Sequence, residues 1–181
     1  LEPSSAASDV YKRQGNTGDN PFKKKEVRQA LYQAIDIEAI KKKVMRGLSE
    51  PAGIITFPGV NGYTADLDKR LPYDVNAAKK LLADAGYPNG FDVELRCPND
   101  RYVNDEAICT AVVGMLGKIG VNVNLFAQTK SKHFKELKDD QGDFYMLGWG
   151  VPTLDSHYVF HYLYETGASW NKVNFSNSEV D

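Results

Sequence analysis

Four side chains toward the C-terminus, Asp155, His157, His161 and Glu165, have the types and spacing of a metal-ligand set. His157 and His161 stand four residues apart, which on a helix puts both imidazoles on one face, within reach of one ion. Their surroundings argue against that use. No glutamate follows His157 in the order a metalloprotease requires, and Tyr158, Phe160, Tyr162 and Tyr164 crowd the same stretch. Helical histidines amid aromatics are more often packed or rim residues, so the expectation is no metal and no other cofactor. His133, alone before Phe134, is expected at the surface. Enzyme motifs are missing from the chain: there is no GxSxG elbow, no P-loop, no GxGxxG after a strand and no CxxC pair. Carboxylates are plentiful, but no spacing isolates a pair for acid–base work. The chain reads as a binder and not an enzyme.

Binding chemistry is concentrated in residues 143–155. A run with strand character ends in Gly148-Trp149-Gly150 and passes into a Pro/Asp/Ser segment that opens a helix. A strand that ends in glycines beside an aromatic offers bare backbone and a flat apolar face to a small ligand. Trp149, Gly148 and Gly150 are therefore candidate ligand-binding residues, the alternative for Trp149 being a core aromatic. Asp155 can accept hydrogen bonds from a ligand or cap the helix that begins near Ser156, and both uses suit an aspartate there.

These residues need a scaffold, and the rest of the chain supplies an alternating one. Val27, Leu31, Ala34 and Ile35 recur at helical spacing, followed by Ile37, Ile40 and Val44, with Asp36 placed to cap and Gly47 to stop. A long irregular segment runs from Leu48 to Pro72, and loops of that length are usually functional or disordered. Asp74 then caps a helix through Leu82, ended by Gly86 and Pro88. Phe91-Val93-Leu95 alternates as a strand, Ala107 to Ile119 is an apolar-striped helix, and Val121-Val123-Leu125 is a second strand. Phe134 and Leu137 mark an exposed amphipathic helix, and Phe144 to Leu147 is a third strand. Strands separated by helices imply an α/β fold, a mostly parallel sheet covered by helices on both faces.

Composition adds bounds. The 181 residues, 42% hydrophobic and 25% charged, suit one domain, and a net charge of -2 gives no electrostatic reason to expect nucleic acid or an anionic membrane surface. No apolar run approaches the roughly 20 residues that span a bilayer. Cys97 and Cys109 are read as two small buried hydrophobes and not as a bridge, which leaves the compartment open. Asp9-Val10-Tyr11-Lys12-Arg13-Gln14 resembles the in-frame translation of a transposase end sequence used in library preparation. Residues 1–14 are accordingly expected to be read-through, with genuine protein from Gly15 and any signal peptide lost.

The strings Asn20-Pro21-Phe22, Val27-Arg28-Gln29-Ala30-Leu31, Pro72-Tyr73-Asp74, Ala85-Gly86-Tyr87-Pro88-Asn89-Gly90-Phe91 and Gly148-Trp149-Gly150 follow one another at characteristic distances. Together, across residues 16–181, they resemble the C-terminal lobe of peptide-type (family 5) substrate-binding proteins of ABC transporters. The resemblance implies one lobe of a type II periplasmic-binding-protein fold over residues 15–181, truncated at both ends. It implies a periplasmic or lipid-anchored receptor, monomeric, that closes on a peptide or peptide-like solute and hands it to ABC permease subunits. It also places Arg101, with Tyr102 beside it, near where dipeptide-binding members keep an arginine for the ligand carboxylate, a partner that a guanidinium fork meets with two parallel bonds.

One departure qualifies this. Peptide-binding members carry an acidic residue shortly after the Gly-Trp turn to neutralise the α-amine, and that position is Pro152 here. Asp155 could substitute, or the solute could lack a free amine. Three other readings stay open: a metal-complex-binding member of the same family, a small doubly wound enzyme with unrecognised catalytic groups, and an interaction module built on the aromatic segment 158–164.

Overall fold

The computed structural model describes residues 20–139, 142–172 and 176–181. The proposed read-through segment 1–14, and Asn174 and Phe175 of the C-terminal part of the resemblance, lie outside the described residues.

Three parallel strands, β1 (Phe91–Pro98), β2 (Val121–Gln128) and β3 (Phe144–Tyr145), form a sheet in the order β2-β1-β3. β1 and β2 stay in register from Phe91 opposite Val121 to Pro98 opposite Gln128. β3 is two residues shorter than expected at its C-terminal end, pairing only Phe144 with Leu95 and Tyr145 with Arg96. The reason lies in β1. The Met146 N–H donates to the Arg96 carbonyl (2.9 Å), and the next rung would take an N–H from residue 98. That residue is proline, which has none, so the ladder stops.

The carbonyl left over at Met146 is met from a helix. His133 lies on α5 (Lys130–Lys138), is 0% exposed, and its Nε2 sits 3.0 Å from the Met146 oxygen. Because a carbonyl only accepts, Nε2 carries the proton. The expectation of a surface histidine is thus corrected: a buried carbonyl needs a donor, and His133 supplies it. Burial pushes the His133 pKa below its ordinary value, the Met146 bond and the charges of Glu136 and Asp105 opposing the shift.

The two faces of the sheet differ. Val93, Leu95 and Cys97 of β1 and Val121 and Val123 of β2 point into the main core, which is completed by α1 (Lys25–Ala34), α3 (Val75–Asp84) and α4 (Asp105–Gly117). Asp74 caps α3 as expected, accepting from the N–H groups of Asn76 and Ala77. α2 (Ile37–Ala39) is capped by Asp36 and continues as a π-helical turn, Ile40–Val44. Phe22, buried to 2%, seals one edge of this core against Phe91 and Phe144.

The opposite face is polar and covered only at its C-terminal end. There the Arg96 guanidinium lies 3.9 Å from the Phe126 ring and pairs with Glu94 (2.8 Å) and Glu136 (3.2 Å), while Gln128 also donates to Glu136. α5 is therefore not an exposed amphipathic helix, since it buries His133, Glu136 and Leu137. Asn122 and Asn124 at the other end remain exposed, so helices cover both faces over only part of the sheet.

The cysteines also depart from expectation. Cys97 and Cys109 are joined by a disulfide, with Cα atoms 6.6 Å apart. Asp105, Ile108, Cys109, Val112 and Leu116 form the buried side of α4, which packs on β1 and so carries position 109 to the strand end at 97. Sequence spacing alone does not reveal this approach. A structural disulfide is a feature of oxidising compartments.

Candidate functional site

The site gathers where β1 and β3 end. The turn after β1 is pinned by Asp105, whose Oδ2 accepts from the main-chain N–H groups of Arg101 (3.0 Å) and Tyr102 (2.9 Å). This aims Tyr102 across at the end of β3. Its ring sits against the backbone of Gly148, and its hydroxyl is 3.4 Å from the Gly148 carbonyl. The Arg101 guanidinium lies 4.9 Å from the Tyr102 ring, exposed, and makes no ion pair among the described residues. Delocalised positive charge beside an aromatic face, with no carboxylate in place, is suited to meet one from outside.

Trp149 is half-buried. Its ring packs with Tyr158 (6.0 Å between centroids), Tyr162 (6.1 Å) and Trp170 (6.1 Å). Its Nε1–H is buried and has no acceptor among the described residues. A buried indole donor normally finds a partner, and among the described residues this one has none. Gly150 is exposed, and a side-chain carbon added there would meet nothing within 4 Å, which leaves open space beside the indole.

The strand-to-helix segment that follows is held by the long loop 48–72. Asn61 donates its N–H to the Leu154 carbonyl (2.8 Å), accepts from the Ser156 N–H (3.0 Å), and gives its side-chain amide to Asp155 (2.9 Å). Leu154 is held with φ at 53°, a left-handed conformation that a leucine adopts only when its neighbours impose it. Asp155 also accepts from the His157 N–H (2.9 Å) at the start of α6 (His157–Val159), which runs on as a π-helical turn, Phe160–Tyr164. The Asn61 amide, then the His157 N–H, hold the Asp155 carboxyl below its ordinary pKa. Of its two readings, the helix cap is the one the geometry favours.

Among the candidate residues, Arg101, Tyr102 and Gly148 form one chain of contacts. Trp149 and Asp155 belong to a second, built on α6, and Gly148 and Trp149 are joined through the chain itself. Asn61 and Trp170 escaped the sequence reading because neither lies in a periodic segment or near the Gly-Trp-Gly turn. The aromatic segment is not a free hot spot either. Tyr158 and Tyr164 pack against the small second core of Val60, Val151 and Val159, Tyr162 packs on the Tyr158 ring (4.7 Å between centroids), and Phe160 faces solvent at 45% exposure. His157 on α6 and His161 on the π turn that follows are exposed, and with Glu165 they could hold a metal ion.

Residues 4–171 match the family model of bacterial extracellular solute-binding proteins, family 5, middle region. Heme-binding protein A of Haemophilus influenzae is 30% identical over 174 residues, covering 92% of this chain and 31% of that protein. The dipeptide-binding protein of Escherichia coli is 30% identical over 164 residues, covering 89% and 30%. The solved structure of AgaA from Agrobacterium tumefaciens R10 with agropinic acid superposes with a TM-score of 0.77 at 31% identity, covering 88% of this chain and 33% of that one. The chain thus spans about a third of the length of the relatives it matches.

Proposed function

The chain belongs to the bacterial extracellular solute-binding proteins of family 5, and on that premise we propose that it forms one jaw of a receptor that captures a peptide or peptide-like solute for an ABC importer. Its relatives are binding proteins of transport systems, and its fold is that of a type II periplasmic binding protein. The carrying observation is the rim at the end of β3: open space at the exposed Gly150, next to the half-buried ring of Trp149.

In this reading Trp149 offers an apolar face, Gly148 and Gly150 offer backbone, and Arg101 takes a solute carboxylate while resting on Tyr102. Asp155 orders the segment through Asn61 and the start of α6. Pro152 lies exposed where peptide-binding members place an acid, and Asp155 is occupied as a cap. A solute that carries a carboxylate but no free amine fits these residues best. A second lobe, in a longer protein of which these residues are a part, would close over the rim. Closure follows from the solute's greater affinity for the closed form. The receptor works as a monomer in the periplasm, or lipid-anchored outside the cytoplasmic membrane, and hands its solute to permease subunits.

The decisive experiment uses the complete gene recovered from uncut genomic DNA, which also tests whether the segment 9–14 is foreign. Thermal shift of that protein with dipeptides and oligopeptides, their N-acetylated forms, and sugar–amino-acid conjugates should find a stabilising class, and Trp149→Ala and Arg101→Ala should each weaken it. Solute binding unaffected by both substitutions would sink the site. Sub-micromolar binding by the 181-residue chain alone would sink the two-jaw mechanism.

A further inference from the structure

We propose that His157, His161 and Glu165 form a surface site for a single divalent transition cation. One nitrogen from each imidazole and a Glu165 carboxylate oxygen already lie within 4.8 Å of one another. Ligands at ordinary zinc or nickel bond lengths stand about 3.3 Å apart around a tetrahedral ion, so only side-chain rotation separates this cluster from a coordinating one. Both histidines are exposed and free to make that adjustment. Three protein ligands leave a further position open to water.

The helix is shaped for this alignment. In a regular α-helix each step of four residues turns about 40° past a full revolution, so positions 157, 161 and 165 would drift apart around the axis. Here the α-helical start gives way to the π turn Phe160–Tyr164, closed by the Glu165 N–H on the Phe160 carbonyl (2.9 Å). The wider turn takes back part of the drift, and π turns recur at functional sites. The His157 and His161 rings stand 5.7 Å apart and only 30° from parallel, and His161 Nδ1 is 3.0 Å from Glu165. The Asp155 carboxylate, which accepts from the His157 N–H at 2.9 Å, adds negative charge beside the cluster.

The donor set chooses the cation. Two imidazoles and one carboxylate suit zinc, nickel or copper, and they are poor ligands for calcium or magnesium, which take oxygen. The site also has a built-in reporter. The Tyr162 ring lies 4.9 Å from that of His161 and 6.1 Å from that of Trp149, so a paramagnetic ion bound here sits close to the indole. The proposal is independent of the solute reading, and either can fail alone.

The test titrates the tag-free 181-residue chain with nickel chloride, followed by calorimetry and by tryptophan fluorescence, with calcium chloride as control. Nickel should bind saturably at one equivalent and quench the fluorescence, and calcium should do neither. His157→Gln, His161→Gln and Glu165→Gln should each weaken nickel by at least about 10-fold, the loss that removing even an outer-shell partner causes. Circular dichroism melts should match the parent, because all three changes are conservative and none of the three side chains is buried. Absence of saturable nickel binding, or parental affinity in any one of the three variants, would overturn the three-ligand site.

Discussion

A side-chain carbon built on Gly148 would lie 2.7 Å from Cε1 of Tyr102. The ring from the β1 turn and the backbone at the end of β3 share that space only because residue 148 has no side chain. The contact joins the two strand ends across which the candidate site is built.

Gly148→Ala should destabilise the chain by about 1–3 kcal/mol through overpacking. Tyr102→Ala should relieve most of that penalty, so the pair should be non-additive in urea unfolding. Additive losses would mean that the ring and the glycine do not constrain one another.

The Cys97–Cys109 bridge closes a short loop, with a sequence separation of 12. Chain-entropy arguments give such a loop about 3 kcal/mol of stabilisation. The Cys97→Ala/Cys109→Ala variant, or the reduced protein, should unfold at correspondingly lower urea. Identical midpoints with and without reductant would refute a bridge in solution.

His133 should make the fold sensitive to mild acid. Burial lowers its pKa in the folded state, whereas in the unfolded chain it titrates near 6.5. Below that value the unfolded chain binds the extra proton, so stability falls as pH drops from about 6.5 toward the lower folded pKa. Urea unfolding between about pH 7.5 and 5 should show a flatter decline in His133→Gln than in the parent. Removing the histidine also endangers the Met146 carbonyl, whose loss of a donor costs about 1–3 kcal/mol at any pH. Equal acid slopes in the two proteins would count against a buried neutral imidazole.

Gly90 is the least replaceable glycine among the described residues. It has φ at 75°, and an added Cβ would overlap the Gly120 carbonyl oxygen at 1.8 Å. Gly90→Ala should cost about 3 kcal/mol or more, combining a left-handed backbone with a clash against main chain. A thermal melt within a degree or so of the parent would contradict the close approach of the two turns, since 1 kcal/mol moves a domain of this size by about 2–4 °C.

Much of the scaffold could be read from local signals. Asp36 and Asp74 cap where caps were expected, because an aspartate before an apolar helical stripe acts on N–H groups two or three residues away. The parallel sheet followed from strands separated by helices. Even the early end of β3 was in principle readable, because Pro98 withholds an N–H, though only once it is known which residue faces position 98.

The site was legible in type but not in detail. The Gly-Trp-Gly turn announces bare backbone and an aromatic within three residues. Asn61 does not announce itself, since it acts on Leu154, Asp155 and Ser156 from an aperiodic loop more than 90 residues away. The same holds for Trp170 against Trp149 and for His133 beneath Met146.

The order of strands and helices, the aspartate caps, and the family itself were settled by the sequence alone, because those depend on residues that act on near neighbours or on long ordered strings. Tertiary structure decided which cysteines bond, which histidine is buried and which stay in water, and which half of the polar sheet face is covered. Those outcomes depend on distances between residues far apart along the chain, which packing brings together and which no local periodicity encodes.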